Sequence, residues 1–253
     1  MSETIFSSAA EALIQGINNA SIEEKPFPYF YVNNIFPEEF FFRILEYLPS
    51  DKSVIPIEDT GRVIVRKNNN GSINSGSGRF VLPLRRKELQ NLDNRTRAFW
   101  LKIAKMLNSR VLGNVLIEKL KPYLQLRFGA ELARASFTPD VLLIRDRNEF
   151  SLGPHTDAPH RAAVLILYLP DTNANPELGT SVYAPQSDGF ECPGGPHHGF
   201  ENFHKIFTAP YLPNSAFGFV KTTNSFHGVE PFPQQGLERN LIHYVLHHDL
   251  IDR

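Results

Sequence analysis

A mainly β protein with flanking helices is the fold class this sequence predicts, and three observations predict it. After residue 135 the chain runs through short stretches of β-forming residues separated by turn residues. Before residue 135 its apolar residues recur instead at helical spacing. Its 253 residues, 42% hydrophobic and 21% charged, suffice for a sizeable core, and an all-β chain of this length can fold as one domain. We therefore expect a single domain over 1–253, with 1–135 as a helical and strand support region and 136–250 as a β sandwich or barrel carrying the functional residues.

The helices come first. Pro37 suits the start of a helix, and Phe40, Phe41, Ile44, Leu45 and Leu48 follow at helical spacing. A second helix is expected from Leu89 to Leu107 through Leu92, Phe99, Trp100, Ile103 and Ala104. A third should occupy part of 111–126, kinked or split at Pro122. Between the first two, the run Asn68-Asn69-Asn70-Gly71-Ser72-Ile73-Asn74-Ser75-Gly76-Ser77-Gly78 has little apolar surface to bury. A mobile loop over 66–79 is expected, either a plain surface excursion or a lid over substrate. The strands are Val141–Ile144, Ala163–Leu169, Thr180–Tyr183, Ser215–Val220 and Leu241–Leu246. No internal repeat is visible.

Composition excludes several function classes. A net charge of −1 offers no broad electrostatic footprint for nucleic acid. One cysteine, Cys192, cannot form an internal disulfide and fits a reducing compartment; an inert structural thiol is its commoner reading. No segment approaches the ~18 consecutive apolar residues of a membrane span. The amino terminus lacks an early basic cluster, and Glu3, Glu11 and Gln15 interrupt its apolar residues, so no secretory signal is expected. A soluble cytoplasmic protein is the default. The chain has no Gly-rich phosphate loop, Gly-x-Ser-x-Gly elbow or Cys-x-x-Cys pair, so kinase, hydrolase and redox-thiol chemistry have little support.

His155-Thr156-Asp157 places two metal-ligand side chains at i and i+2, which leave the same face of an extended strand. Such a pair is weak evidence among nine histidines, and its alternative reading is a surface turn. It gains weight from its setting, because the turn Asn224-Ser225-Phe226-His227-Gly228-Val229 follows another predicted strand and Arg239 opens the last one. Two imidazoles and a carboxylate on one face of an ion leave adjacent positions open, as suits non-haem Fe(II) and oxygen chemistry.

On these residues the chain resembles the Fe(II)- and 2-oxoglutarate-dependent oxygenases over 138–250. Its opening segment, Pro26-Phe27-Pro28-Tyr29-Phe30-Tyr31-Val32, is similar to that of prolyl-hydroxylase-like members. The resemblance implies a double-stranded β-helix (jelly-roll) core, with iron held by His155, Asp157 and His227. It implies that Arg239 binds the far carboxylate of 2-oxoglutarate, helped by Tyr168; the family's Tyr-Leu-Asn is here Tyr168-Leu169-Pro170. A buried carboxylate needs such a partner, and a guanidinium matches it bidentately. Ascorbate is a candidate reductant. The implied reaction consumes O2, releases succinate and CO2, and hydroxylates a small-molecule, amino-acid or peptidyl substrate. Asp157 favours hydroxylation over halogenation, since related halogenases lack that carboxylate; desaturation and ring closure stay open. The branch that demethylates nucleic acids carries a second arginine where this chain has Val245, so nucleic acid is not an expected partner; with no apolar span, neither is a membrane.

Other polar residues carry two readings each. Prolyl hydroxylases commonly have tyrosine at the position of Arg145, which either binds an acidic group inside the barrel or faces solvent. His160 and Arg161 either line the substrate mouth or form a surface turn. The long segment 185–213 reads as an insertion covering substrate; His197, His198 and Cys192 within it make a second metal site only weakly, because their spacing is poor. His243, His247 and His248 are expected to be structural. The alternative to an oxygenase is a cupin-like metal or small-ligand binding protein, and a third class is an interaction module with a degenerate site. Substrate identity and oligomeric state are not legible.

Overall fold

A computed structural model describes residues 3–62, 78–147 and 150–250 of the chain. Among these residues, eleven strands form two antiparallel sheets. The larger has the order β1-β9-β6-β11-β4-β3-β2, built from β1 (Tyr29–Asn33), β2 (Ile55–Pro56), β3 (Arg79–Pro83), β4 (Phe137–Arg147), β6 (Arg161–Tyr168), β9 (Ser215–Val220) and β11 (Glu238–His248). The smaller has the order β5-β10-β7-β8, built from β5 (Leu152–His155), β7 (Thr180–Pro185), β8 (Phe203–Ala209) and β10 (His227–Val229). From β4 to β11 the strands weave between the sheets as a double-stranded β-helix.

Both faces of the large sheet are covered, which is why its strands read as nearly unbroken apolar runs. On β4, β6 and β11 the side chains of Leu142, Ile144, Val164, Ile166, Leu241 and Val245 point into the space between the sheets. Their neighbours Val141, Leu143, Leu165, Leu167, Ile242 and Leu246 pack against the helices. The period-two alternation of a strand thus serves two cores at once.

The helices are α1 (Glu3–Asn19), α2 (Glu38–Glu46), α3 (Asn94–Leu107) and α4 (Arg110–Phe128). The sequence reading missed α1, although Phe6, Ala9, Leu13 and Ile17 lie buried at helical spacing along it. α2 starts after Pro37 as expected. The expected helix from Leu89 starts later, at Asn94, because the Asp93 carboxylate caps it by accepting from the backbone N–H groups of Arg95 (3.0 Å) and Thr96 (3.1 Å). Leu89 itself lies in a 3₁₀ turn over Glu88–Asn91. α4 is not split at Pro122. An interior proline costs a helix about 3 kcal/mol, whereas Leu116, Leu120 and Leu124 are each fully buried along the same face at about 1.5–3 kcal/mol apiece.

The change of style near residue 135 falls between a 3₁₀ turn ending at Arg134 and the start of β4. β1, β2 and β3 nevertheless cross it to join the large sheet. β1, β2, β3, β5, β8 and β10 lie outside the stretches that the sequence marks as strands. The loop expected over 66–79 lies, up to residue 77, outside the described residues, and Arg79 already belongs to β3. Among the described residues no helix is long and apolar enough to cross a membrane.

Candidate metal centre

Strand pairing brings the distant histidine home. β10 lies between β5 and β7, with His227 opposite both His155 and Val182. β5 ends at His155, so Asp157 reaches the same point from the turn that follows, not from an extended strand as expected. Thr156, between them, points away and donates its hydroxyl to the Cys192 carbonyl at 2.8 Å. One donor atom from each of His155, Asp157 and His227 lies within 4.8 Å of the others, and all three residues are buried. Among the described residues no other group of His, Cys, Asp or Glu has this geometry.

Each imidazole is oriented from behind. Nδ1 of His155 lies 3.0 Å from the Gly153 carbonyl, and Nδ1 of His227 lies 2.9 Å from that of Ser225. A carbonyl can only accept, so Nδ1 carries the proton and Nε2 presents its lone pair. Burial, then the neighbouring imidazoles of His227 and His197, holds His155 well below the usual histidine range; burial also lowers His227. Burial alone would raise the Asp157 carboxyl, but Arg161, His227, His155 and His243 outweigh it and keep it below the usual carboxylate range. Its Oδ1 accepts from Arg161, while Oδ2, 3.8 Å from Nε2 of His227, is buried with no partner. Two neutral nitrogens and an orphaned carboxylate oxygen facing one point fit a divalent transition metal.

Glycines let the ligand-bearing segments approach one another. A methyl group at Gly228 would overlap the Leu152 carbonyl, one at Gly153 the His198 carbonyl, and one at Gly194 the Asp157 carbonyl. The 185–213 segment is also tied to both ligand segments, through His198 N–H to Pro154 O (2.9 Å) and Cys192 N–H to Thr223 O (2.8 Å). It carries His197 onto His155, ring centroids 4.4 Å apart.

A second polar cluster lies further along the inner face of β11, around the buried residues Arg239, Asp146, Thr180 and Tyr168. Arg239 donates from NH1 to Asp146 Oδ2 (2.8 Å) and from NH2 to Thr180 Oγ1 (3.0 Å), while its buried Nε has no partner. Its guanidinium carbon lies 5.7 Å from the ring centroid of Tyr168, whose hydroxyl accepts from the Thr180 N–H at 3.0 Å. Burial raises the Tyr168 hydroxyl, with Arg239 and Thr180 pulling the other way. Arg79 grips the same carboxylate, Nε to Oδ1 at 2.6 Å and NH2 to Oδ2 at 2.9 Å. Two guanidiniums therefore share one carboxylate. Sequence reasoning missed Arg79, Asp146 and Thr180; the pairing of Arg79 and Arg239 with Asp146 across β3, β4 and β11 is visible only once strand register is known.

The remaining candidates divide. Arg145, one residue before Asp146, lies on the opposite face of β4, so it faces neither the barrel interior nor solvent. It is held outside by Asp51, by the Pro49 carbonyl at 3.0 Å and by Asn240 at 2.9 Å. Arg161 stands at the site on Asp157, whereas His160 is exposed and stacks on His247, centroids 4.9 Å apart. His243 lies half-buried on the inner face of β11, within electrostatic reach of Asp157 and His227. His198 and Cys192 do not join His197 as ligands, because the His198 ring is packed among Phe190, Phe203 and Phe226.

No family model and no curated protein sequence matches the chain. Among solved structures it is similar to a Pseudomonas putida prolyl-4-hydroxylase, at 11% identity and a TM-score of 0.48, over 94% of this chain and 98% of that one. It is also similar to the non-haem alpha-ketoglutarate-dependent epimerase SnoN from nogalamycin biosynthesis, at 11% identity and a TM-score of 0.47, over 95% and 84%. A 2OG-Fe(II) oxygenase-family oxidoreductase from Burkholderia pseudomallei gives 12% and 0.44, over 97% and 91%.

Proposed function

We propose that this chain is an Fe(II)- and 2-oxoglutarate-dependent dioxygenase that hydroxylates a small-molecule, amino-acid or peptidyl substrate. One observation carries the reading: a two-histidine, one-carboxylate cluster shares a barrel interior with two arginines that have only one carboxylate between them. A lone metal protein has no use for that surplus charge. A dicarboxylate does, since one end can chelate the ion while the other settles on the arginine.

Nε2 of His155, Nε2 of His227 and Oδ2 of Asp157 would hold the iron. When bound, it supplies the activation of dioxygen, coupled to conversion of 2-oxoglutarate to succinate and CO2. The residues of this chain orient the reactants. The partnerless Nε of Arg239 offers the N–H that a carboxylate requires, and the Tyr168 hydroxyl lies beside it. A carboxylate placed there brings the Arg79–Asp146–Arg239 group to electrical neutrality, so the co-substrate is bound by charge as well as by shape. The apolar walls from β4, β6 and β9 keep bulk water away from both ends.

The test is an anaerobic titration of the protein with Fe(II) and then 2-oxoglutarate. A weak visible charge-transfer band should appear, and Asp157→Ala should remove it. Metal binding indifferent to 2-oxoglutarate would instead identify a cupin-like binding protein.

A further inference from the structure

Asp157 has two carboxylate oxygens, and the fold treats them differently. Oδ1 accepts an N–H from the Arg161 guanidinium, whereas Oδ2 is buried, partnerless and 3.8 Å from Nε2 of His227. A carboxylate can grip one ion through both oxygens or bind it through one. A charge-assisted hydrogen bond on Oδ1 opposes the first mode and leaves the second.

The Arg161 side chain is 30% exposed, and an ion pair so open to water gains little from charge alone. Its place is set by the backbone beneath it. The Arg161 N–H donates to the Ala158 carbonyl at 3.0 Å, which turns the chain back on Asp157. Arg127, on α4, donates from NH1 to the carbonyls of Arg161 (2.6 Å) and Lys221 (3.1 Å), and from NH2 to that of Pro159. Nε2 of His248 lies 2.8 Å from the same Pro159 oxygen and donates to it, since a carbonyl can only accept. The His248 backbone N–H takes the His160 carbonyl at 2.9 Å. Every carbonyl from 158 to 161 therefore accepts a hydrogen bond, and the turn holds the guanidinium on Oδ1.

Counting donors gives this contact a consequence. Two imidazoles and one oxygen fill half of the six positions of an octahedral ion. A 2-oxo acid, chelating through its keto and carboxylate oxygens, takes two more and leaves one for dioxygen. If Asp157 gripped the ion with both oxygens, the co-substrate would close the site.

We infer that Arg161 is a positioning residue that keeps Asp157 a one-oxygen ligand and so holds the last position open for dioxygen. This rests on the reading of the site as an iron and 2-oxoglutarate centre, and it deepens that reading by naming what keeps the loaded centre accessible.

The test uses nitric oxide, a neutral stand-in for dioxygen, added without air to the full chain loaded with Fe(II) and 2-oxoglutarate. EPR of the high-spin nitric oxide adduct reads the open position, and wild type should give it. Arg161→Met removes the donor at similar length and should weaken nitric oxide binding about tenfold, while Fe(II) and 2-oxoglutarate still saturate the protein. Arg161→Lys returns an N–H and should recover part of the loss. Arg127→Gln loosens the turn without touching Asp157 and should give the same pattern at smaller amplitude; it carries the test if Arg161→Met does not fold. Equal nitric oxide binding by wild type and variant would overturn the inference, as would no adduct in wild type that binds both iron and 2-oxoglutarate. A loss of Fe(II) affinity as large as the loss of nitric oxide would also overturn it, since Arg161 would then only support the fold. Failure of 2-oxoglutarate to bind the iron-loaded wild type would strike the parent assignment instead.

Discussion

The metal end and the arginine end of the barrel are built on opposite principles. At the metal end the donors are steered by main-chain carbonyls, those of Gly153 and Ser225, and burial keeps both ligand imidazoles neutral. At the arginine end, side-chain charges from β3, β4 and β11 hold one another, with Asp146 and Arg239 each about 1% exposed or less. The first arrangement presents lone pairs to a cation; the second presents N–H donors to an anion. The space between the sheets thus carries a receptor of each sign, placed on different strands.

Mutations should separate the two ends. The largest effect is expected from His155→Ala or Asp157→Ala, which should abolish iron binding in equilibrium dialysis; retained stoichiometric metal would break the assignment of the centre. Next, Asp146→Asn leaves the buried Arg239 and the partly buried Arg79 guanidiniums without their counter-charge and should destabilise the fold by about 3–5 kcal/mol in urea denaturation. A loss below 1 kcal/mol would show that Asp146 does not carry the arginine end. Arg239→Leu should raise the 2-oxoglutarate dissociation constant about 100-fold while the metal affinity stays put. Its outer-face counterpart, Arg145→Gln, should leave both affinities unchanged, and any sizeable effect on co-substrate would contradict the two-faced reading of β4.

Smaller effects test the periphery. Burial alone would raise the Asp140 carboxyl, but the guanidiniums of Arg62 and Arg85 overcome it and bring it from 3.8 down to about 2. Its folded pKa is depressed, so its stabilisation is complete above pH ~4 and is lost as pH falls through about 2; the total is about 2 kcal/mol. Asp140→Asn should flatten the acid limb of the stability profile by that amount, and an unchanged limb would assign acid sensitivity elsewhere. Thr156→Val removes only the hydroxyl that ties the ligand turn to Cys192, and a roughly tenfold loss of metal affinity is expected in a competition titration.

The sequence revealed these ends unequally, for a physical reason. His155 and Asp157 are two residues apart, so their meeting requires only local chain geometry. The strands of the large sheet were legible because both of their faces are buried, which writes long apolar runs such as Ala163–Leu169. By contrast β8 is apolar at its ends but exposed through its middle, and β10 is three residues long, too short to show a period. α1 carries an apolar stripe at helical spacing, Phe6, Ala9, Leu13 and Ile17, but Glu3, Glu11 and Gln15 break its hydrophobic run. Arg145 and Asp146 show what one residue of phase decides: the arginine turned toward Asp51 and the aspartate toward Arg239. Only the register of β3, β4 and β11 fixes that phase.

The glycines at 153, 194 and 228 have a consequence for how the centre tolerates change. Each sits where a single extra carbon would collide with the peptide oxygen of a neighbouring strand or turn. Alanine at any of them would act as a wedge, prying apart the segments that carry His155, Asp157 and His227 rather than altering the ligands themselves. The span between the donor atoms, and with it the size of ion that can be gripped, is therefore governed by side chains that are not there.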